Sequence, residues 1–206
     1  ALEVYRKACT LGEPFSCTNV GLFLQDARIG GTPDPQAALS FLRQGCDGQD
    51  PKGCAWVAKL HRDIPALNDP ALAADYAQRG CAMDHINSCV WQGIAFEDGA
   101  GVALDLDAAA AAYRKACDMG GAMGCYNAAL VLKAKKGAAF GPDRFARSAA
   151  LAERGCDLGS VNACNTLGFA LDAGRGVTRD RVRARAIFTR TCAQDSGLGC
   201  SRLRTH

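Results

Sequence analysis

The chain has 206 residues, 49% of them hydrophobic but only 7% aromatic, and 24 Lys and Arg stand against 21 Asp and Glu for a formal charge of +3. Such a composition predicts a core built mainly from Ala, Leu and Val, with small residues suited to close helix packing. Basic residues are spread evenly, which argues against a nucleic-acid or anionic-membrane partner, and no apolar run approaches the roughly 20 residues of a bilayer span.

Along the chain, twelve cysteines form six pairs with one spacing, C-x7-C: Cys9/Cys17, Cys46/Cys54, Cys81/Cys89, Cys117/Cys125, Cys156/Cys164 and Cys192/Cys200. First cysteines recur after 37, 35, 36, 39 and 36 residues, the signature of stacked similar units. Each first Cys closes a segment that reads as the last turns of an amphipathic helix: Tyr5 to Cys9, Phe41 to Cys46, Tyr76 to Cys81, Tyr113 to Cys117, Leu151 to Cys156 and Phe188 to Cys192. Eight residues before it stand Ala38, Ala73, Ala109, Ser148 and Ala184, completing one stripe at helical spacing. Basic residues in the last turn oppose the negative end of the helix dipole.

Helix-stopping residues follow, as in Asp118-Met119-Gly120-Gly121 and Asp157-Leu158-Gly159-Ser160, where Gly suits a left-handed cap. A second helix then starts near the second Cys. It carries a small residue four positions on (Gly21, Ala58, Gly93, Ala129, Gly168) and, three further, Leu24, His61, Phe96, Leu132 and Leu171, of which His61 is the odd member. Turns rich in Gly, Pro and Asp lead to the next helix: Gly30 to Asp34, Asn68 to Pro70, Gly99 to Val102, Gly141 to Asp143 and Gly174 to Val177. The predicted fold is all-α: an α/α solenoid of helix pairs, one domain over 1–206, with repeats at 17–46, 54–81, 89–117, 125–156 and 164–192 and partial units at 1–16 and 199–206. The ends are accordingly expected to be atypical, partner-capped or fragmentary.

The stretch from Cys89 to Cys117, with Gly93, Gly99-Ala100-Gly101-Val102, Asp105 and Tyr113-Arg114-Lys115-Ala116-Cys117, resembles a Sel1-like repeat, a relative of the tetratricopeptide repeat. The C-x7-C pairs are similar to those of the Helicobacter cysteine-rich protein branch. The resemblance covers the whole chain and is strongest at Cys89 to Cys117 and Cys164 to Cys192; the units at Cys54 to Cys81 and Cys125 to Cys156 lack the Gly-x-Gly-Val turn.

All twelve cysteines are expected to pair locally, since only adjacent pairing repeats the same closed loop in every period. Closing a loop of about nine residues contributes about 2.6 kcal/mol in the chain-entropy model. Zinc is the competing use of these thiolates, but C-x7-C is wider than the usual structural spacing and offers two ligands, so no metal or cofactor is expected. Disulfides imply an oxidising compartment, periplasmic or secreted; the sequence opens at Ala1 with no Met or apolar leader, so any secretory signal is expected to have been removed or left out.

Chemistry is sparse. No Ser-x-x-Lys, Ser-Asp-Asn, Lys-Thr-Gly or Gly-x-Ser-x-Gly occurs, although the resemblance implies β-lactam binding or hydrolysis as an alternative activity. Gly99-Ala100-Gly101 and Gly174-Arg175-Gly176 read as turns rather than phosphate cradles, and the carboxylates Glu97/Asp98 and Asp105/Asp107 as turn and capping residues. His61 reads as a packing position and His85 as exposed in a loop; no catalytic residue is expected. The resemblance implies a concave face, lined by the second-cysteine helices, that takes up a protein or peptide as an adaptor or inhibitor would. One and two residues beyond each second Cys, the positions expected to face outward provide the candidate partner-binding set: Asn19, Trp56, Trp91, Tyr126, Asn127 and Asn165.

Overall fold

A computed structural model describes residues 1–26, 32–134, 141–194 and 196–204. Among them every regular element is helical: α1 (Leu2–Thr10), α2 (Pro14–Asp26), α3 (Pro35–Asp47), α4 (Pro51–Asp63), a short 3-10 turn (Pro65–Leu67), α5 (Pro70–Ala82), α6 (Ile86–Asp98), α7 (Leu106–Asp118), α8 (Ala122–Lys133), α9 (Arg144–Asp157), α10 (Val161–Ala173), α11 (Arg181–Cys192) and α12 (Gly197–Leu203). The expected all-α solenoid of paired helices is thereby found. Two compact units divide the chain, Ala1–Asp105 and Leu106–His206. In each, consecutive helices pack on one another, and the second-cysteine helices also touch along their row: α2 with α4 and α4 with α6 in the first unit, α8 with α10 in the second.

One junction recurs six times. The backbone N–H that precedes each second-cysteine helix donates to a carbonyl five residues back: Glu13 to Ala8, Asp50 to Gly45, His85 to Gly80, Gly121 to Ala116, Ser160 to Gly155 and Ser196 to Thr191, at 2.8–3.1 Å. At the five junctions whose bend lies in the described residues, this bond turns the chain through a left-handed residue three after the first Cys. Gly120 and Gly159 serve there as expected, and Gly12 likewise, but Gln49 (φ 71°) and Asp84 (φ 59°) hold the same conformation with side chains.

The bend brings last and first turns together, so the expected adjacent bridges form. They are Cys9–Cys17, Cys46–Cys54, Cys81–Cys89, Cys117–Cys125, Cys156–Cys164 and Cys192–Cys200, with Cα separations of 4.4–4.6 Å, inside the range that a disulfide accepts. No cysteine is free. The bridges differ in enclosure: Cys9 and Cys17 are buried, like the four pairs that follow them, whereas Cys192 and Cys200 are both half-buried.

Short polar side chains start the helices. Asp34, Asp50 and Asp69 accept from backbone N–H groups at 2.8–3.1 Å, each followed by Pro at the first helical position, and Ser160 and Asp180 cap α10 and α11. Within a pair, the small residue four beyond the second Cys admits its partner: a Cβ on Gly21 would meet Leu42, and one on Gly168 would meet Phe188. Around these approaches lie two cores, one including Leu39, Leu42, Val57, Leu60 and Tyr76, the other Ala152, Leu167, Leu171, Ile187 and Phe188.

The Gly-x-Gly turns have a tertiary reason. Gly101 and Gly176 both have φ of 77°, and a Cβ on either would overlap backbone, that of Pro70 and Ala71 for Gly101 and of Phe145 and Ala146 for Gly176. Each turn therefore lies against the start of an earlier helix, α5 or α9, with no room for a side chain. The expected turn at Gly30 and Gly31 lies outside the described residues, as does His206.

Candidate functional site

Position one beyond the second Cys does not face outward as expected. Thr18, Ala55 and Val90 are buried, and Asn165 is only 2% exposed, donating from Nδ2 to Ser196 Oγ and accepting from Thr191 Oγ1, both at 2.8 Å. The reason is helical phase. One residue past the cysteine, the side chain turns toward the next helix–helix junction, where Asn165 ties two residues of that junction together. Tyr126, at the same position in α8, is half-buried.

Position two is the surface position. Asn19, Trp56, Trp91 and Asn127 are all half-buried, while Thr166, its counterpart in α10, is 8% exposed. Asn19 Nδ2 donates to Phe15 O at 2.8 Å. Both Trp rings pack on the first core and carry a cation over the ring, Lys59 Nζ 5.7 Å from the Trp56 centroid and Arg62 Cζ 4.6 Å from that of Trp91. These rings thus contribute to packing and surface together.

Beside Trp91 the row of second-cysteine helices leaves a cleft of about 220 Å³ in the first unit, walled by Ala58, Arg62, Ala73, Ala74, Trp91 and Ile94. His61 closes part of its floor. Its Nδ1 lies 2.8 Å from Leu67 O and its Nε2 3.1 Å from Arg43 Nη2, so Nδ1–H donates to the carbonyl and Nε2 accepts from the guanidinium. The odd residue of the stripe therefore secures the loop that lacks Gly-x-Gly. Arg62 at the rim is paired with Asp63, Nε to Oδ1 at 2.7 Å, and this bond together with Lys59 pulls the Asp63 carboxyl down to about 2 despite the opposing effect of burial. At neutral pH the one Asp63 carboxylate is shared by Arg62 and Lys59.

An equivalent cleft in the second unit is larger, about 400 Å³, and lies among Lys133, Phe145, Thr166, Phe169, Arg175 and Arg202. Thr166 replaces Trp91 and Phe169 replaces Ile94 at matching distances from the second Cys. Cations surround the rings. Lys133 Nζ and Arg202 Cζ lie 6.0 and 4.7 Å from the Phe169 centroid, Arg144 Cζ and Arg175 Cζ 4.6 and 5.4 Å from that of Phe145. The wall hydroxyls are used internally: Thr166 donates to Asn162 O at 3.0 Å and Ser148 to Ala129 O at 2.7 Å. Sequence reasoning stopped one turn short of these residues; following the outward stripe from position two to positions five and eight leads to Phe169 and Lys133.

The basic residue two before the first Cys also differs between repeats. Arg79 reaches Asp47 at 2.6 Å and Arg154 reaches Asp118 at 2.8 Å, whereas Arg190 Nη2 sits 2.8 and 3.2 Å from the sulfurs of Cys156 and Cys164. His85 is half-buried rather than exposed as expected, because it caps α6 through Nδ1, which accepts from Ser88 N at 3.3 Å. Burial holds its pKa below the ordinary value, with Lys52 adding to the shift and Asp50 opposing it. Among the described residues no three His, Cys, Asp or Glu are grouped to hold a metal ion, and no helix is long and apolar enough to cross a membrane.

The Sel1 repeat model matches residues 14–50, 51–85, 92–121 and 161–196, more than half of the chain. A curated relative, cytochrome c oxidase assembly factor 7 of Xenopus tropicalis, is 26% identical over 125 residues, which is 58% of this chain and 54% of that protein. Among solved structures, a protective antigen of uropathogenic Escherichia coli displaying an SLR fold superposes with a TM-score of 0.86 at 20% identity, over 96% of this chain and 42% of the other. A Sel1 repeat protein from Oxalobacter formigenes gives 0.81 at 18% identity, over 99% and 59%. The chain spans about half the length of the curated relative that it matches.

Proposed function

The chain belongs to the Sel1 repeat family, and from that premise we propose that it is a non-enzymatic scaffold, an adaptor or inhibitor, which takes up a protein or peptide on the faces of its second-cysteine helices. The observation carrying this is the recurrence of half-buried amide and aromatic side chains at one helical position, Asn19, Trp56, Trp91 and Asn127, with Tyr126 one residue earlier in α8. Such residues combine contact area with backbone-directed hydrogen bonds. Asn165, being enclosed, belongs to the supporting structure. The uninterrupted cysteine period supports residues 1–206 as one repeat array, and its six bridges, from Cys9–Cys17 to Cys192–Cys200, favour an oxidising compartment, periplasmic or secreted.

Selection from a displayed random-peptide library against oxidised protein tests the proposal. Enriched sequences should lose binding to Trp56→Ala or Trp91→Ala proteins whose helical circular dichroism is unchanged. Turnover of a chromogenic β-lactam, abolished by one surface substitution, would instead establish an enzyme.

A further inference from the structure

The two clefts occupy equivalent places in the repeat, yet only that of the second unit joins a large apolar hollow to a rim rich in cations. We propose that this cleft binds an acidic peptide segment through one bulky apolar side chain, a phenylalanine or leucine flanked by Asp or Glu; this rests on the peptide-binding role proposed above and assigns it a site and a ligand chemistry.

The hollow selects the apolar anchor. At about 400 Å³ it falls within the range of small-ligand pockets, roughly 300–1,000 Å³, and the half-buried side chains of Phe145 and Phe169 line it. The hydroxyls of Ser148 and Thr166 already donate to backbone carbonyls, so the walls ask for apolar contact rather than further hydrogen bonding. An aromatic side chain set against these phenyl rings gains area and edge-to-face contact.

The rim selects the flanking charge. Lys133, Arg175 and Arg202 line the cleft and Arg144 stacks on Phe145 beside it, while Asp172, the carboxylate among the lining residues, lies 3.7 Å from Arg181 Nε. Carboxylates on either side of an inserted side chain would approach cations already held over the rings, of which Lys133 and Arg175 are exposed, so the attraction is one that salt screens. The first unit provides the contrast: Trp91 narrows its cleft to about 220 Å³, and Arg62, the one Lys or Arg among its lining residues, is bonded to Asp63. Without the hollow, a cationic rim would suit any polyanion; without the rim, the hollow would suit any apolar chain. Their coincidence defines the partner.

Fluorescence anisotropy with oxidised protein and labelled seven-residue peptides tests this. A Glu-rich peptide with a central Phe should bind at least about tenfold tighter than the same peptide centred on Gly or flanked by Lys, and should weaken as salt rises from about 0.05 to about 0.5 M. Arg175→Glu and Lys133→Glu, both at exposed side chains, should each weaken it by about tenfold, and Arg114→Glu, at an exposed side chain outside the cleft lining, should leave it unchanged. Equal affinity for the Phe- and Gly-centred acidic peptides would make the cleft a general anion surface and overturn the assignment. Library-selected peptides that depend on Trp91 but not on Arg175 or Lys133 would overturn it while leaving the interaction role intact. Failure to enrich any peptide would overturn both.

Discussion

The cleft beside Trp91 and the cleft beside Phe169 are built on equivalent helix pairs, yet one is narrow with a single arginine at its rim and the other is wide with a basic rim. Both inherit their backbone from a second-cysteine helix, a small residue four positions on and a turn lying against the preceding helix. What differs is the outward stripe: Trp91 and Ile94 in one, Thr166 and Phe169 in the other. Residues that position helices tolerate little change, whereas those two and five beyond the second Cys alter volume, and Lys133, Arg175 and Arg202 around them alter charge, without moving the frame. A repeat can thereby diversify its surface while holding its geometry.

The shared frame breaks most sharply at the two close turns. Gly101→Ala and Gly176→Ala should each cost about 2–4 kcal/mol, since both a positive φ and an overlap with backbone oppose the new Cβ. Chemical denaturation should find similar losses in both; a large loss in one only would mean that the turns are not equivalent. Next in size, His61→Ala should cost about 1–3 kcal/mol, because it leaves the Leu67 carbonyl and the Arg43 guanidinium without their buried partner. Its counterpart in α8, Leu132, makes no such bonds, so Leu132→His should not compensate.

Thr166→Trp should convert the wide cleft toward the narrow one and weaken acidic-peptide binding by about tenfold, roughly 1.4 kcal/mol. A smaller difference appears with pH. Because the folded His85 titrates below its ordinary value of 6.5, the unfolded chain takes up the proton first, so the stability held above that pH is lost progressively as pH falls below it. His85→Asn keeps a capping side chain and should remove this component from thermal melts between about pH 5 and 7. Smallest of all, Arg190→Leu should slow dithiol reduction of Cys156–Cys164 by about threefold in differential alkylation, because a nearby guanidinium favours the departing thiolate. Arg79→Leu, whose guanidinium pairs with Asp47, should not alter reduction of Cys46–Cys54.

Much of the frame could be read directly from residue spacing. The cysteine period located six junctions, the stripe through Ala38, Ala109 and Ala184 predicted their burial, and Gly120 and Gly159 marked left-handed caps. Spacing alone did not separate the enclosed Cys9–Cys17 bridge from the half-buried Cys192–Cys200 bridge, because enclosure depends on which helices pack over a junction. Gln49 and Asp84 escaped the glycine logic because the junction, with its five-back hydrogen bond and disulfide, holds any residue there in the left-handed region. The candidate site was only partly legible. Trp56, Trp91 and Asn127 lie on the surface stripe, but Asn165 turns inward, since a polar amide one residue past the cysteine finds Ser196 and Thr191 in the following junction.

By itself the sequence determined the periodic part of this protein: helix pairs, their caps, local disulfides and membership of a repeat architecture. These follow from interactions within about one repeat, so spacing along the chain encodes them. Only the tertiary structure decided which side chains meet across repeats: the hold of His61 on its loop, the seating of Gly101 and Gly176 against earlier helices, and the gathering of Lys133, Phe145, Phe169, Arg175 and Arg202 around one hollow. Those residues come from different helices and turns, and no local period relates them. Packing of neighbouring repeats is what makes them a site.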